Sequence, residues 1–233
     1  STGDHRYQHL SVRRQRQMCI RDSTGRDRYD VRGRVAHESL FNTNDGRYRC
    51  ASTQQGYSPF TCWARGLAWA MYGYAYAYGA TGDESFLETA HLCAGYYLLN
   101  TPGDGVPYWD YGAPGIPDEP RDSSAAAIAG CGLLLLAELD SGSAGAGDYL
   151  RTALTIGATL SSDDYLRPKR EAEAGLLLGG VYHRPRGGGV GGAVMWGESF
   201  SLELIERLLS LDEGSLKPLG PGECPVRFDP GEA

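Results

Sequence analysis

An arginine and a tryptophan stand four residues apart in a segment rich in tryptophan, arginine and small residues, at Arg65 and Trp69. On a helix this spacing brings both side chains out on one face. A guanidinium pairs with a carboxylate, and an indole ring stacks on the flat face of a sugar. The pair therefore indicates a site for an acidic sugar, although an aromatic core helix with an arginine reaching solvent would show the same spacing.

Polar residues ahead of that helix add weaker signals. Thr53 and Gln55 occupy a turn beside Gly56, where polar side chains can point at a ligand. His37 precedes another turn, and a single histidine is more often structural or exposed than functional. Taken alone, each of these residues is an ordinary feature of a soluble protein.

Charged residues in the second half of the chain give further candidates. Arg184 and Arg186 lie in a basic loop that could meet a sulfate or carboxylate, or could simply be solvated, and Glu198 is a third candidate. We expect structural roles for two aspartates: Asp110 as the organiser of a loop and Asp122 as a helix cap.

Hydrophobic spacing and turn residues predict the elements that position these groups. The turn signal at 42–46 separates strands at 35–41 and 47–52, which predicts one short β-hairpin. Since strands and helices do not alternate, we predict an all-α domain. The predicted loops are 100–121, which we expect to be ordered, and 179–192. The predicted helices are 60–78, 83–99, 123–139, 147–160, a weak one at 169–178, and 198–211.

Composition places the chain among ordinary soluble globular proteins, with 41% hydrophobic and 22% charged residues. The longest apolar run, 125–137, is shorter than the roughly 18 residues of a membrane helix and predicts a buried core helix. The six cysteines form no C-x-x-C pair and no histidine has zinc-like spacing from them, so we predict no metal site, no cofactor and a reduced compartment. A polar N-terminus without an apolar run favours the cytoplasm over export.

The charge is unevenly distributed along the chain. The net charge of −7 combines +3 over residues 1–22 with −10 over the remainder. A basic arm can bind nucleic acid, but residues 12–23 resemble sequencing-adaptor DNA translated as coding sequence. We therefore predict that 1–23 lies outside the natural fold, that 24–211 is the folded domain, and that the Pro- and Gly-containing tail 212–233 is disordered.

A set of motifs, taken together, resembles glycoside hydrolase family 88, the unsaturated glucuronyl hydrolases. The motifs are His37 with the turn 42–46, the run Thr53-Gln54-Gln55-Gly56-Tyr57, the segment Trp63-Ala64-Arg65-Gly66-Leu67-Ala68-Trp69, and the segments 104–110 and 120–127. The resemblance covers about residues 30–210 and implies the C-terminal half of an (α/α)6 toroid, with an apolar flank where missing helices would pack. It also implies a subsite for an unsaturated uronic acid, lined by His37, Thr53, Gln55, Trp63, Arg65 and Trp69. Contacts with the next sugar are expected from Arg184, Arg186 and Glu198.

The resemblance further implies an unusual hydrolysis. The family's substrate is an oligosaccharide, made by a polysaccharide lyase, with a 4,5-unsaturated uronic acid at its non-reducing end. The enol ether is protonated at C4, water adds at C5, and the resulting hemiketal opens and expels the next sugar. The family's two essential aspartates precede the His37 motif, where this chain has only the adaptor-like segment, so we expect an inactive fragment with no catalytic residue.

The chain departs from the family pattern at two further positions. Leu67 stands where the family usually has Gln, and Ser199 stands where it has Tyr, which weakens that part of the expected subsite. Family 105, the unsaturated rhamnogalacturonyl hydrolases, shares the architecture but tends to carry W-x-R-G-N-G-W, so Leu67-Ala68 favours family 88.

Two competing interpretations belong to different functional classes. One is a non-catalytic sugar-binding helical protein, and the second is a nucleic-acid binder that uses the basic arm. We expect an oligosaccharide partner and neither nucleic acid nor membrane, and the sequence leaves the oligomeric state open.

Overall fold

Five helices and two β-hairpins make up the part of the chain that the computed structural model describes, residues 33–167 and 175–211. The predictions for residues 1–23 and 212–233 lie outside these ranges. The hairpins are β1 (Glu38–Phe41) with β2 (Tyr48–Ser52), and β3 (Gly180–His183) with β4 (Gly188–Gly192), the latter pair joined by a 3₁₀ turn (Arg184–Arg186). The helices are α1 (Ala64–Thr81), α2 (Glu84–Asn100), α3 (Ser123–Leu139), α4 (Ala146–Leu160) and α5 (Met195–Leu209).

The five predicted helices other than the weak one at 169–178 are confirmed. Helix α3 has the predicted bounds, and the other four have shifted ends. Helix α1 begins at Ala64 rather than near residue 60, because a turn closed by Thr61 N–H donating to the Ser58 carbonyl occupies the preceding residues. Helix α5 begins at Met195, three residues before the predicted 198. The predicted hairpin is also confirmed, with Gly46 N–H donating to the Asn42 carbonyl in its turn.

The prediction of a loop at 179–192 is wrong, because this segment forms the β3–β4 hairpin and the described chain therefore has two hairpins rather than one. Glycines dominate the segment and hide the alternation that marks a strand. Most of the weak helix predicted at 169–178 lies outside the described residues. The rest is extended, with Leu177 forming an isolated bridge to Leu166.

Helix α3 is the centre of the fold, since every residue from Ser123 to Ala137 is buried. A helix that is apolar all round needs neighbours on every side. Helices α1, α4 and α5 pack directly on α3, and α2 packs on the outside of α1. Two α-hairpins and a further helix thus surround one core, and the all-α class is confirmed.

Part of α5 exposes large apolar side chains in the described structure. Met195, Leu202 and Leu209, seven residues apart, are 81%, 58% and 82% exposed. Such a stripe agrees with the expected apolar flank of an incomplete helical ring. None of the described helices is both long and apolar enough to cross a membrane.

Helices α1 and α3 approach each other closely at Gly132, which gives a test of the packing. A Cβ at this position would lie 3.1 Å from the backbone nitrogen of Tyr72 and 3.2 Å from its Cα. We expect Gly132→Ala to lower the free energy of unfolding by about 1–3 kcal/mol, because the backbone of α1 must move. Chemical denaturation of the purified chain measures this change.

The matched control is Gly95→Ala in α2, where a Cβ would meet nothing within 4 Å. We expect this substitution to raise stability by up to about 1 kcal/mol, since alanine is the better helix former. Equal effects of the two substitutions would contradict the close approach of α1 and α3.

Candidate functional site

The N-terminal ends of three helices converge at one place in the structure. Arg65 is the second residue of α1, and its Nη1 donates to Asp122 Oδ2 at 2.9 Å, just ahead of α3. Trp196 is the second residue of α5, and its Nε1 donates to Ser124 Oγ at 3.2 Å. These contacts bring α1, α3 and α5 together, with both hairpins alongside.

The Arg65 guanidinium is enclosed on its faces and its edge. Its carbon lies 4.5 Å from the centroid of the Trp63 ring and 5.0 Å from that of Trp196. Its nitrogens donate to the carbonyls of Val181 and Tyr182 in β3, the latter at 2.9 Å. Burial lowers the pKa of Arg65, and the neighbouring Asp122 carboxylate opposes that shift. Only 3% of the Arg65 side chain is exposed, so it does not present a free cation to solvent.

Asp122 confirms the helix-cap expectation and does more than cap. Its Oδ1 accepts from Ser124 N–H at 3.1 Å and Ala125 N–H at 3.4 Å, which satisfies the first turn of α3. The same oxygen accepts from Val181 N–H at 3.2 Å. Burial raises the pKa of this carboxyl, while Arg65 and the hydrogen bonds act to lower it. One buried carboxylate thus joins α1, α3 and β3.

His37, Thr53 and Gln55 form a wall beside this junction. His37 Nδ1 lies 2.9 Å from Thr53 Oγ1, and its ring packs on Trp63 with centroids 4.3 Å apart. Gln55 Nε2 donates to the Tyr182 carbonyl at 3.2 Å, the same oxygen that Arg65 contacts. Residues separated by long stretches of sequence therefore meet around strand β3.

Trp69 lies one turn beyond Arg65 on α1 and is 38% exposed. Its ring packs edge-on against Phe200 of α5, with centroids 5.0 Å apart, and Phe200 also contacts Tyr72. Arg65 and Trp69 do share a helix, but their environments differ. The indole keeps an accessible part, whereas the guanidinium does not.

The three charged residues expected at a second sugar are spread over separate contacts. Arg184 Nε lies 3.4 Å from Glu119 Oε2, and Arg186 is exposed in the 3₁₀ turn. Glu198 Oε1 accepts from Leu176 N–H at 2.7 Å and Leu177 N–H at 2.9 Å, so it holds the segment that leads into β3.

An open cleft of about 940 Å³ lies between the β1–β2 hairpin and the loop that carries Trp109. Its lining includes Thr53, Tyr57, Glu119 and Arg184. Asp110 organises the adjoining loop as expected, since its carboxylate accepts from the N–H groups of residues 57 and 112 and from the hydroxyl of residue 61.

Sequence reasoning missed Tyr182 and Trp196 as parts of this assembly. The Tyr182 ring is 50% exposed and lies 5.6 Å, centroid to centroid, from the Trp196 ring. Trp196 stands three residues before Ser199, within a motif of the family, so a signal for it was present in the sequence. Within residues 33–167 and 175–211, no three His, Cys, Asp or Glu side chains are grouped so as to hold a metal ion.

The known proteins to which this chain is similar include several unsaturated glucuronyl hydrolases. The chain is 36% identical over 184 residues to the unsaturated glucuronyl hydrolase of Bacillus sp. strain GL1, which is 78% of this chain and 48% of the relative. The crystal structure of unsaturated glucuronyl hydrolase from Bacillus sp. GL1, responsible for the degradation of glycosaminoglycan, matches with a TM-score of 0.71 and 34% identity over 81% of this chain and 49% of that one. No protein-family model matches.

A similar protein from a second organism carries a ligand. A mutant unsaturated glucuronyl hydrolase from Streptococcus agalactiae, complexed with dGlcA-GalNAc6S, matches with a TM-score of 0.70 and 29% identity over 89% of this chain and 53% of that one. The chain thus spans about half the length of the relatives it matches. These similarities confirm the expected partial toroid.

The loop organised by Asp110 can be tested by substitution. We expect Asp110→Ala to lower the free energy of unfolding by about 1–3 kcal/mol, because two N–H groups and a hydroxyl lose the buried carboxylate that ties this loop together. Thermal and chemical denaturation measure the loss. Asp118→Ala, in the exposed part of the same loop, is the control and should change stability little. Similar losses in both variants would contradict the organising role of Asp110.

The protonation of His37 gives a second test. Burial lowers its pKa from 6.5, with Arg65 and His183 acting in the same direction and Glu38 and Asp110 opposing. A lowered folded pKa means that the native state binds fewer protons than the unfolded state, so this contribution to stability is present above pH 6.5 and is lost as the pH falls through the folded pKa. We expect the His37 imidazole NMR signals to titrate below pH 6.5.

The control for this titration is the variant His37→Gln, which identifies the signals. It should also show a weaker fall in stability on acidification than the unmodified chain. Titration of His37 at or above the ordinary histidine range would contradict its desolvated position against Trp63.

Proposed function

This chain is a partial match to the unsaturated glucuronyl hydrolases of glycoside hydrolase family 88, and we propose that it forms the substrate-holding part of such an enzyme. The proposed ligand is a glycosaminoglycan oligosaccharide with a 4,5-unsaturated uronic acid at its non-reducing end. The observation that carries this proposal is the convergence of Gln55 and Arg65 on the Tyr182 carbonyl, with His37 packed on the adjoining Trp63 ring, in a chain with these relatives.

The proposed subsite comprises His37, Thr53, Gln55, Trp63, Arg65 and Trp69. Within it, Trp69 supplies an accessible indole, and stacking on a sugar ring suits such a surface. His37, packed on Trp63, and Gln55, bonded to the Tyr182 carbonyl, supply polar groups on the other side of Arg65. Arg184 and Arg186 are proposed to contact the next sugar, and the sulfated disaccharide on the Streptococcus agalactiae relative supports an acidic ligand of this kind.

Helix electrostatics support an anionic ligand in this place. Three helices direct their N-terminal ends towards the junction, and such ends carry partial positive charge. Neither α1 nor α5 has a side-chain cap. A uronate near these ends would be favoured over a neutral sugar, because its negative charge is attracted to the partial positive charge of the helix ends.

We propose that the chain binds this substrate without turning it over. Hydration of the enol ether needs a carboxyl group that is free to protonate C4 and then to guide water to C5. The two buried aspartates at the site, Asp110 and Asp122, are 0% exposed and each accepts several hydrogen bonds from protein donors. These bonds support the proposal that neither carboxyl group transfers a proton to a sugar.

A non-catalytic sugar-binding protein is the second candidate, and the same occupied carboxylates favour it. It predicts the same binding by this chain. The two candidates differ in the whole protein, because only the hydrolase requires acid and base groups supplied by further sequence. Adding the preceding half of a relative as a separate polypeptide and assaying for turnover distinguishes them.

The binding test uses an unsaturated chondroitin disaccharide and its saturated counterpart, with titration calorimetry and tryptophan fluorescence as readouts. We expect the chain to prefer the unsaturated ligand, since only its flattened ring matches the proposed subsite. The ultraviolet absorbance of the conjugated double bond should stay constant over time. Trp69→Ala should weaken binding by about fivefold, in line with the loss of one stacking contact of roughly 1 kcal/mol.

Tyr48→Ala, which removes an exposed aromatic ring from strand β2, is the matched control and should bind normally. Equal affinity for the saturated and unsaturated ligands, or no affinity for either, would refute the proposed ligand. Loss of the double-bond absorbance would refute the absence of catalysis in this chain.

A further inference from the structure

The enclosure of Arg65 raises the question of how it can serve a substrate site. A guanidinium that binds a carboxylate directly needs an open edge, because the two planar groups meet side by side. In this chain that edge already faces Asp122, Val181 and Tyr182, and both faces are covered by indole rings. The exposed fraction of the side chain, 3%, leaves no room for a second carboxylate.

Displacing these partners would be unfavourable. If Arg65 turned towards a ligand, the Asp122 carboxylate and two strand carbonyls would lose a buried donor. Removing one member of a buried ion pair is strongly destabilising because the other charge remains uncompensated. A surface-exposed group can meet a uronate without that cost.

Asp122 and Arg65 both form hydrogen bonds with strand β3. Asp122 Oδ2 binds Arg65, and Asp122 Oδ1 binds the N–H of Val181, so both residues of the ion pair hold the same strand. Arg65 and Gln55 converge on the next carbonyl, that of Tyr182. Strand β3 is therefore fixed from both sides at the two residues beside the candidate subsite.

The side chain of Tyr182 is the part of this strand that can reach a ligand. Its ring is 50% exposed and packs at a tilt on Trp196, which itself covers one face of Arg65. Gly189 on β4 has φ +59, and a Cβ there would lie 2.8 Å from the Tyr182 Cβ. Only glycine fits opposite Tyr182, so β4 approaches this tyrosine closely.

We infer that Asp122 is a positioning residue, and that Arg65 acts on a bound sugar through strand β3 and Tyr182 instead of pairing with the sugar's carboxylate. This inference rests on the proposed function, since it concerns the same subsite. On this inference, exposed groups around strand β3 bind the acid. The Arg65–Asp122 ion pair positions the strand and does not touch the sugar.

The experiment compares two ligands on three proteins. The ligands are the unsaturated disaccharide and its uronate methyl ester, which differ only in the charge of the acid. The proteins are the unmodified chain, Arg65→Lys and Asp122→Asn, each checked for a native circular-dichroism spectrum and a cooperative melt. Asp118→Asn, an exposed neighbour in sequence, is the matched control.

The unmodified chain is expected to prefer the acid. Both site variants should bind acid and ester at least tenfold more weakly, with the acid-to-ester affinity ratio unchanged within about twofold, because misplacement of β3 affects both ligands equally. A ratio that falls to one in Arg65→Lys would identify a direct ionic contact and overturn the inference. Unchanged affinity in a folded Asp122→Asn would reduce Asp122 to a helix cap and overturn it as well.

A second measurement uses only the unmodified chain, so it does not depend on whether the variants fold. The Arg65 Nε–Hε NMR signal should respond alike to saturating acid and saturating ester. A change specific to the acid would show that the guanidinium meets the carboxylate, against the inference. If the unmodified chain binds neither ligand, the proposed function itself fails. That result differs from binding in which the acid-to-ester affinity ratio of Arg65→Lys falls to one, which overturns only the inference.

Discussion

The structure depends on one buried ion pair, between Arg65 and Asp122. Two charges removed from water carry a large desolvation cost, which their mutual attraction offsets only if their remaining donors and acceptors are satisfied. Here the carboxylate also takes backbone donors from α3 and β3, and the guanidinium also takes carbonyls of β3 and two indole faces. The pair thereby fixes which elements meet, and this geometric role matters more than any net gain in stability.

The pair can form only because the helices beneath it are already close. Helix α3 has small residues and leucines on all sides, and Gly132 allows α1 to approach to backbone contact. With α1 and α5 both packed on α3, their first turns come together at the same end. Apolar packing sets this distance, and the polar contacts between Arg65, Asp122 and Trp196 then select one arrangement.

Much of this fold follows from local sequence, and the candidate site follows only in part. Helical spacing and the Asn42–Gly46 turn were sufficient for the helices and the first hairpin, and the position of Asp122 before two serines was sufficient for a cap. The second hairpin could not be predicted, because its glycines carry no pattern. Arg65 and Trp69 were correctly placed on one helix, but their spacing does not say that β3, over a hundred residues later, covers the arginine.

This limit explains why an arginine whose motif suggests a ligand-binding residue is instead buried against protein acceptors in the folded chain. A motif gives the residue types that occur together in the sequence. How many of their hydrogen-bond donors stay free depends on the segments that pack against them in the fold. Trp69, whose neighbours are apolar rings, keeps part of its surface exposed, and Arg65, whose neighbours are acceptors, does not. Aromatic walls remain available after folding because stacking needs only one free face. Proton transfer has a stricter requirement, a carboxyl group with an unoccupied oxygen, and the buried aspartates of this chain use theirs to hold loops and strands.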